Sequence, residues 1–240
     1  MIYAKQLHSH IAKTNEDAYQ LKEGLERTYP LRIKDITTIS ESEFNARFQA
    51  IALKLDALER FNIGVNQKQA IPEYDAESAK LLSLYLSDTE KKFAVYDVLI
   101  AKLTLFTRIL NKKRFTDKQI VIKTEKLRQG DFTFQTSANH TIDAIQLSLG
   151  EQHQLILLYE LVFNVRKNSL VLIDEPENSL HVAWQRLFID DLLAIIKAEN
   201  LQVIVVTHSP QIIGSHRDLT YDLYAFLKVS SSAIIIISAS

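Results

Sequence analysis

The sequence predicts an α/β protein in which parallel strands occupy the C-terminal half and helices occupy the N-terminal half. Two continuous apolar runs, residues 170–173 and 203–206, are separated by a helical stretch over about residues 180–198. Strands of a parallel β-α-β unit are covered on both faces, which makes them apolar throughout. Five glycines in 240 residues is about a third of the usual frequency of roughly 7%, which favours a high helix content.

Helical periodicity extends from the start of the chain to about residue 112. Ser40 and Glu43 have the spacing of a capping box, and apolar side chains then recur every three or four residues. The two stripes are Phe44, Phe48, Ile51, Leu55 and Leu58, and then Val95, Leu99, Leu103, Phe106 and Leu110. Pro30 and residues 64–72 are expected to interrupt these helices. We predict a helical arm or insertion subdomain over residues 1–117, with a coiled coil as the alternative.

The periodicity changes to two at about residue 118. Ile120 and Ile122 alternate with their neighbours, and Gly130 and Asp131 precede a second short run, which predicts a β-hairpin over residues 118–136. After the helical arm, residues 118–228 are assigned to a second segment, which contains this hairpin and the parallel strands. The tail, residues 229–240, contains S-S-A-I-I-I-I-S and predicts a buried strand or an aggregation-prone end of unknown role.

Composition excludes several classes of protein. The formal net charge of −1 argues against a globally basic nucleic-acid binder, and the lack of cysteine excludes a disulfide scaffold and a thiolate metal site. No window reaches the roughly 18 to 20 apolar residues of a membrane-spanning helix. A cytoplasmic location without membrane contact is therefore expected.

Three motifs carry candidate chemistry. The first is L-S-L-G-E-Q, residues 147–152, in which Ser148 can cap the following helix and Glu151 can close a capping box. This pattern is common at ordinary helix starts. Its functional alternative is an anion site, because a hydroxyl, Gly150 and free amide groups would meet at the positive end of a helix dipole.

The second motif, L-V-L-I-D-E-P-E-N-S-L-H over residues 170–181, is an apolar strand that ends in acids. Ligands of doubly wound sheets lie at the carboxyl ends of the strands, where Asp174 and Glu175 fall. One acid can hold hydrated Mg²⁺ while the other accepts a proton from water. The structural alternative is a polar turn before Pro176, with Ser179 as the cap of the next helix.

The third motif places His208 directly after the second apolar run. A single histidine is usually structural, but the three motifs occur in order, each at a strand end or helix start. In that arrangement the sequence resembles the ABC-type ATPases of the RecF and SMC branch, which have an L-S-x-G-E signature, a Walker B strand ending in D-E-P and a later switch histidine. The resemblance covers about residues 118–226, and within the branch it is strongest to the OLD-like and anti-phage defence AAA-type ATPases.

This resemblance implies a role for each matching residue. Asp174 would contact Mg²⁺ through water, Glu175 would be the general base, and His208 would reach the γ-phosphate of ATP. The nucleotide-binding set would comprise the signature residues Ser148, Gly150 and Glu151, together with Ser179 in a loop that crosses a dimer. The fold it implies is the C-terminal lobe of a P-loop NTPase.

The sequence departs from the family in one large respect, because no pair of its glycines has the G-x-x-x-x-G-K-S/T spacing of a P-loop. The resemblance therefore implies ATP binding and hydrolysis only with a P-loop from absent sequence or from a partner. Expected partners are a second ATPase protomer, DNA or RNA, and an associated nuclease or effector. The alternative is a non-catalytic degenerate head that dimerises or binds a partner.

Overall fold

The computed structural model describes residues 2–63, 72–112, 118–123, 131–222 and 233–238. The chain forms two compact units. The first comprises residues 1–103 and 122–132, and the second comprises residues 104–121 and 133–240. The division at residue 103 falls within a helix, whereas the sequence places a boundary at residue 117.

The first unit is helical, as the periodicity of the N-terminal half predicts. Its helices are α1 (Ile2–Asp35), α2 (Glu41–Arg60), α3 (Ala79–Ala94) and α4 (Asp97–Asn111), the last of which continues into the second unit. Ser40 caps α2 by accepting a hydrogen bond from the amide of Glu43. Phe44, Ile51 and Leu58 of the first predicted stripe are buried, so this stripe forms the inward face of α2.

Pro30 does not interrupt α1, and that expectation is wrong. A proline removes one backbone hydrogen bond from a helix interior. Here the side chain of Arg32 donates to the carbonyl oxygen of Leu25 at 2.6 Å, across the proline turn. The same guanidinium forms a two-pronged ion pair with Asp88 of α3. We infer that these contacts hold the end of α1 in helical geometry.

The described residues form two sheets. The first has the order β1-β2-β3 and consists of β1 (Lys118–Lys123), β2 (Asp131–Thr136) and β3 (Thr141–Asp143). The predicted strand pair is thus observed, and β3, which pairs antiparallel with β2, extends it.

The second sheet has the order β4-β5-β7-β6. Its strands are β4 (Leu170–Asp174), β5 (Gln202–Thr207), β6 (Thr220–Asp222) and β7 (Ala233–Ser238). β4 and β5 are parallel, as predicted, and α6 (Val182–Glu199) connects them. The tail strand β7 pairs antiparallel with both β5 and β6, so the sheet is mixed and the tail is one of its inner strands.

Helices α5 (Leu149–Tyr159) and α6 supply much of the core of the second unit. Trp184 and Phe188 of α6 are buried and belong to this core. A π-helical segment, Glu160–Asn164, follows α5 and brings the rings of Tyr159 and Phe163 into a stack with centroids 4.8 Å apart. In the parts of the chain that the structure describes, no helix is long and apolar enough to cross a membrane.

Candidate functional site at the strand ends

The carboxyl ends of β4 and β5 lie side by side. In the parallel register Asp174, the last residue of β4, pairs with Val206, and β5 ends one residue later at Thr207. The side chain of Asp174 is exposed at this edge. The acids that follow β4 and the polar residues that follow β5 are therefore delivered to one rim of the sheet.

Glu175 departs from the strand with an unusual backbone conformation. Its φ and ψ angles of 43° and 55° lie in the left-handed region, which costs a residue other than glycine about 1–2 kcal/mol. Its amide still donates to the carbonyl of Val206 at 2.8 Å, so the turn stays attached to β5. The side-chain amide of Asn178 donates to Glu175 Oε2 at 2.7 Å and orients the carboxylate. Backbone strain of this kind is concentrated at functional sites.

His208 faces Glu175 directly. Its Nε2 atom lies 3.3 Å from Glu175 Oε1, and both side chains are nearly half exposed to solvent. The structure thus brings together Glu175 and His208, with Asp174 next to them in the strand register. A carboxylate and an imidazole in contact at an open edge can accept protons from a bound substrate and donate protons to it.

Glu177 is a residue of this site that the sequence analysis did not identify. Both of its carboxylate oxygens lie 2.7 Å from Thr207 Oγ1 and share the one hydroxyl proton, and Oε1 also accepts from the amide of His208 at 2.7 Å. Thr207 is completely buried, and its hydroxyl oxygen also accepts the amide of Ser209 at 3.0 Å. Glu177 therefore fixes the turn that carries His208 to the turn that carries Glu175. The signal for it in the sequence is the third acid of the D-E-P-E string, residues 174–177.

The L-S-L-G-E-Q motif, residues 147–152, forms a capping box at the start of α5. Ser148 Oγ accepts from the amide of Glu151 at 3.4 Å, and Glu151 Oε2 accepts from the amide of Ser148 at 2.8 Å. Ser148 is exposed, Leu149 is 69% exposed and Gly150 is half-buried, so the first turn of the helix is open to solvent. The positive end of α5 is available to an anion.

Glu151 points inward instead of toward solvent. Both of its carboxylate oxygens lie 2.9 Å from Lys118 Nζ, and the residue is buried. Burial raises the pKa of Glu151, but the hydrogen bonds from Lys118 and Ser148 outweigh it and leave this pKa below its ordinary value. Glu151 thus positions the first turn of α5.

Replacing Glu151 with Gln is expected to lower the free energy of unfolding by about 2 kcal/mol at neutral pH, because Lys118 loses its charged partner. Because the pKa of Glu151 is lowered in the folded chain, its contribution to stability is fully present above its ordinary pKa of 4.5. That contribution is lost as the pH falls through the folded pKa. Urea unfolding at neutral pH and at about pH 3 measures both effects, and the variant should differ least from wild type in acid. Glu160→Gln is the control, and an equal difference at both pH values would contradict the assignment.

Two other sequence-based interpretations need correction or restriction. Ser179 is not the cap of α6, because His181 occupies that position and accepts the amide of Ala183 through Nδ1 at 3.3 Å. Ser179 instead ends a 3₁₀ turn, Pro176–Ser179, against which α5 packs, and its side chain lies outside the described residues. Residues 108–128 contain eight basic side chains and two acidic ones, which could contact nucleic-acid phosphates but are more typical of a solvated surface. This segment lies partly outside the described residues, and its Lys118 is paired with Glu151.

The side chains at the strand ends can be compared with the ligands that the expected Mg²⁺ would need. Among the residues described, no group of three or more His, Asp or Glu side chains is arranged to hold a metal ion. Mg²⁺ at a nucleotide site needs only one or two carboxylates in addition to water and phosphate oxygens. The carboxylate of Asp174, which is exposed, meets the requirement for one such ligand.

Comparison with known proteins identifies a family. Residues 9–214 match the family described as "AAA domain, putative AbiEii toxin, Type IV TA system". Two curated relatives from two strains of Helicobacter pylori, each named "Probable iron chelatin transport ATP-binding protein", are 28% identical over 166 residues. The alignment covers 68% of this chain and 61% of each relative, so the chain spans about three fifths of their length. A solved structure of the Smc head domain with an extended coiled coil, bound to the C-terminal domain of ScpA and derived from Pyrococcus furiosus, is 14% identical. That match covers 98% of this chain and 55% of the other, with a TM-score of 0.34.

Proposed function

Because the chain belongs to the AAA-domain family that residues 9–214 match, we propose that it is the lobe of an ABC-type ATPase head that supplies the general base, the switch histidine and the signature helix. The substrate is ATP, and hydrolysis requires a P-loop that another segment or another polypeptide provides. The observation that carries this proposal is the contact of 3.3 Å between Glu175 and His208 beside Asp174.

Each residue of the sheet edge has a distinct task in this proposal. Glu175 accepts the proton of the attacking water, and Asn178 holds its carboxylate in place through the bond of 2.7 Å. His208 donates to the γ-phosphate, with its backbone fixed by Glu177. Asp174 holds Mg²⁺ through water, and that ion, when bound, offsets the negative charge of the phosphates.

The exposed start of α5 contacts the nucleotide of a second protomer. Ser148 and Gly150 bind its γ-phosphate, since the hydroxyl, the amide groups and the helix dipole all favour an anion. Glu151 maintains the shape of this turn from inside the protein, and Ser179 lies in the loop that crosses the dimer. ATP is then held between two heads, and its hydrolysis releases them.

The exposed face of β4 supports the requirement for a P-loop-bearing lobe. Leu170 and Leu172 point to the same face of this edge strand and are 56% and 71% exposed. Ile204, the register partner of Leu172 in β5, and Val206, the partner of Asp174, are only half-buried. Strands of parallel sheets are normally covered on both faces, and an exposed apolar edge favours association. We propose that the lobe carrying the P-loop packs on this face.

Leu172→Lys tests this docking face. The substitution is expected to weaken binding of a P-loop-bearing polypeptide about tenfold or more, because a charge would be buried in an apolar contact. Sedimentation or calorimetric titration against that polypeptide measures the change. Leu53→Lys is the matched control, since Leu53 is 73% exposed on α2 of the other unit. If the two variants bound equally well, another surface would have to receive the P-loop.

A role in defence or in nucleic-acid processing extends the same proposal. The family description names a toxin of a toxin–antitoxin system, which supports a switch that controls an effector or nuclease. DNA or RNA and a cytoplasmic location remain part of the proposal on the strength of the family resemblance. A non-catalytic head is the competing function, and a chain that binds the P-loop polypeptide without restoring hydrolysis would favour it.

A further inference from the structure

The first unit contains a cleft of about 580 Å³ between α1 and α3. Small-molecule sites fall in the range of roughly 300–1,000 Å³ and are mostly apolar with a few polar groups. The apolar side chains that line the cleft are Leu25, Tyr29, Pro30, Leu81, Leu82 and Tyr85. The cleft uses none of the residues assigned to the ATPase site.

A largely buried lysine, Lys92, lies in the wall of this cleft. Lys92 is only 7% exposed, and no described carboxylate lies within ion-pair distance of its Nζ atom. The Phe93 ring, with its centroid 5.5 Å away, offers partial compensation. Glu26 and Lys22 are the charged groups that act on Lys92, and all three residues line the cleft.

The remaining acids of the cleft are committed elsewhere. Asp88 forms its ion pair with Arg32, and Glu26 lies 3.6 Å from Lys22. Burial lowers the pKa of Lys92, which is the effect expected when a cation is removed from water without a partner. A buried charge without a close counterion is costly, and an anion supplied from outside would relieve that cost.

We propose that this cleft binds a small amphiphilic anion, whose apolar body lies against the aromatic wall and whose single anionic group pairs with Lys92. The apolar wall accounts for the body of the ligand, and the ammonium group of Lys92 accounts for its charge. The volume limits the ligand to a small molecule.

A matched pair of fluorescent probes separates the charge from the apolar body. The full chain is titrated with 8-anilinonaphthalene-1-sulfonate, which carries a sulfonate, and with N-phenyl-1-naphthylamine, which lacks it. Lys92→Met is expected to weaken binding of the sulfonate about tenfold or more and to leave the neutral probe unchanged. Lys91→Met is the control, because Lys91 is exposed on the same helix. Probe that binds at other apolar surfaces contributes equally to the signals of Lys92→Met and Lys91→Met, so the difference between them reports the cleft.

The melting temperature of Lys92→Met provides the second measurement. Removing the charge of a largely buried lysine that has no ion-pair partner among the described residues should leave the melting temperature equal to or above the wild-type value. A clear decrease would mean that the fold already supplies a partner for the ammonium group, and the proposal would be overturned. It would also be overturned if Lys92→Met and Lys91→Met bound the sulfonate with the same affinity.

Discussion

Glu175→Gln is expected to reduce ATP turnover by about 10²- to 10⁴-fold in the assembled enzyme, because the substitution removes the proposed general base. The substitution keeps the size of the side chain and the oxygen that Asn178 contacts at 2.7 Å. Phosphate contacts are unaffected, so ATP binding should persist and the ATP-bound dimer should accumulate. Steady-state hydrolysis, nucleotide binding and size-exclusion chromatography with ATP measure the three effects.

Asp190→Asn is a matched control for Glu175→Gln. Asp190 Oδ1 lies 2.9 Å from Nε2 of His216, so this pair also joins an acid to a histidine in the second unit. It lies outside the strand-end site, and its loss should leave hydrolysis unchanged. Wild-type turnover by Glu175→Gln would exclude Glu175 as the base.

Glu177→Ala is expected to lower the free energy of unfolding by about 2–4 kcal/mol, because it removes the acceptor of the buried Thr207 hydroxyl and of the His208 amide. Both contacts measure 2.7 Å, and Thr207 is completely buried. The loss of this link should also displace His208 and reduce hydrolysis. Urea unfolding measures the stability change, and Glu177→Gln, which retains one acceptor oxygen, should lie between the alanine variant and wild type.

A double-mutant cycle with Thr207→Val isolates the Glu177–Thr207 contact. Residues that share a hydrogen bond are expected to show a coupling free energy of about 1–2 kcal/mol. Strictly additive effects would mean that Glu177 stabilises the chain by some other contact.

The sequence was sufficient for features that depend on local patterns. Apolar runs ending in polar residues predicted parallel strands, and the pairing of Asp174 with Val206 brings Glu175 and His208 together. The S-x-x-E spacing likewise predicted the capping box of Ser148. The capping box follows from backbone geometry over a few residues, and the apolar runs identify the two strands, although the pairing of those strands joins distant segments.

Other features depend on contacts between distant segments. Pro30 remains within α1, where Arg32 bonds to Leu25 and Asp88. The tail strand β7 became an inner strand through pairing with β5 and β6, which its composition alone could not specify. The role of Glu177 depends on Thr207, thirty positions away in sequence, and only the folded register brings the two together.

The proposed function depends on a lobe that completes its active site by combining with a P-loop. The most direct test is Mg²⁺-dependent ATP hydrolysis by this chain mixed with a polypeptide that carries G-x-x-x-x-G-K-S/T, sought first in the adjoining coding sequence. We predict negligible hydrolysis by either component alone and a rate that rises to a plateau at equimolar mixing. A mixture that hydrolyses ATP no faster than the P-loop polypeptide alone would contradict the account.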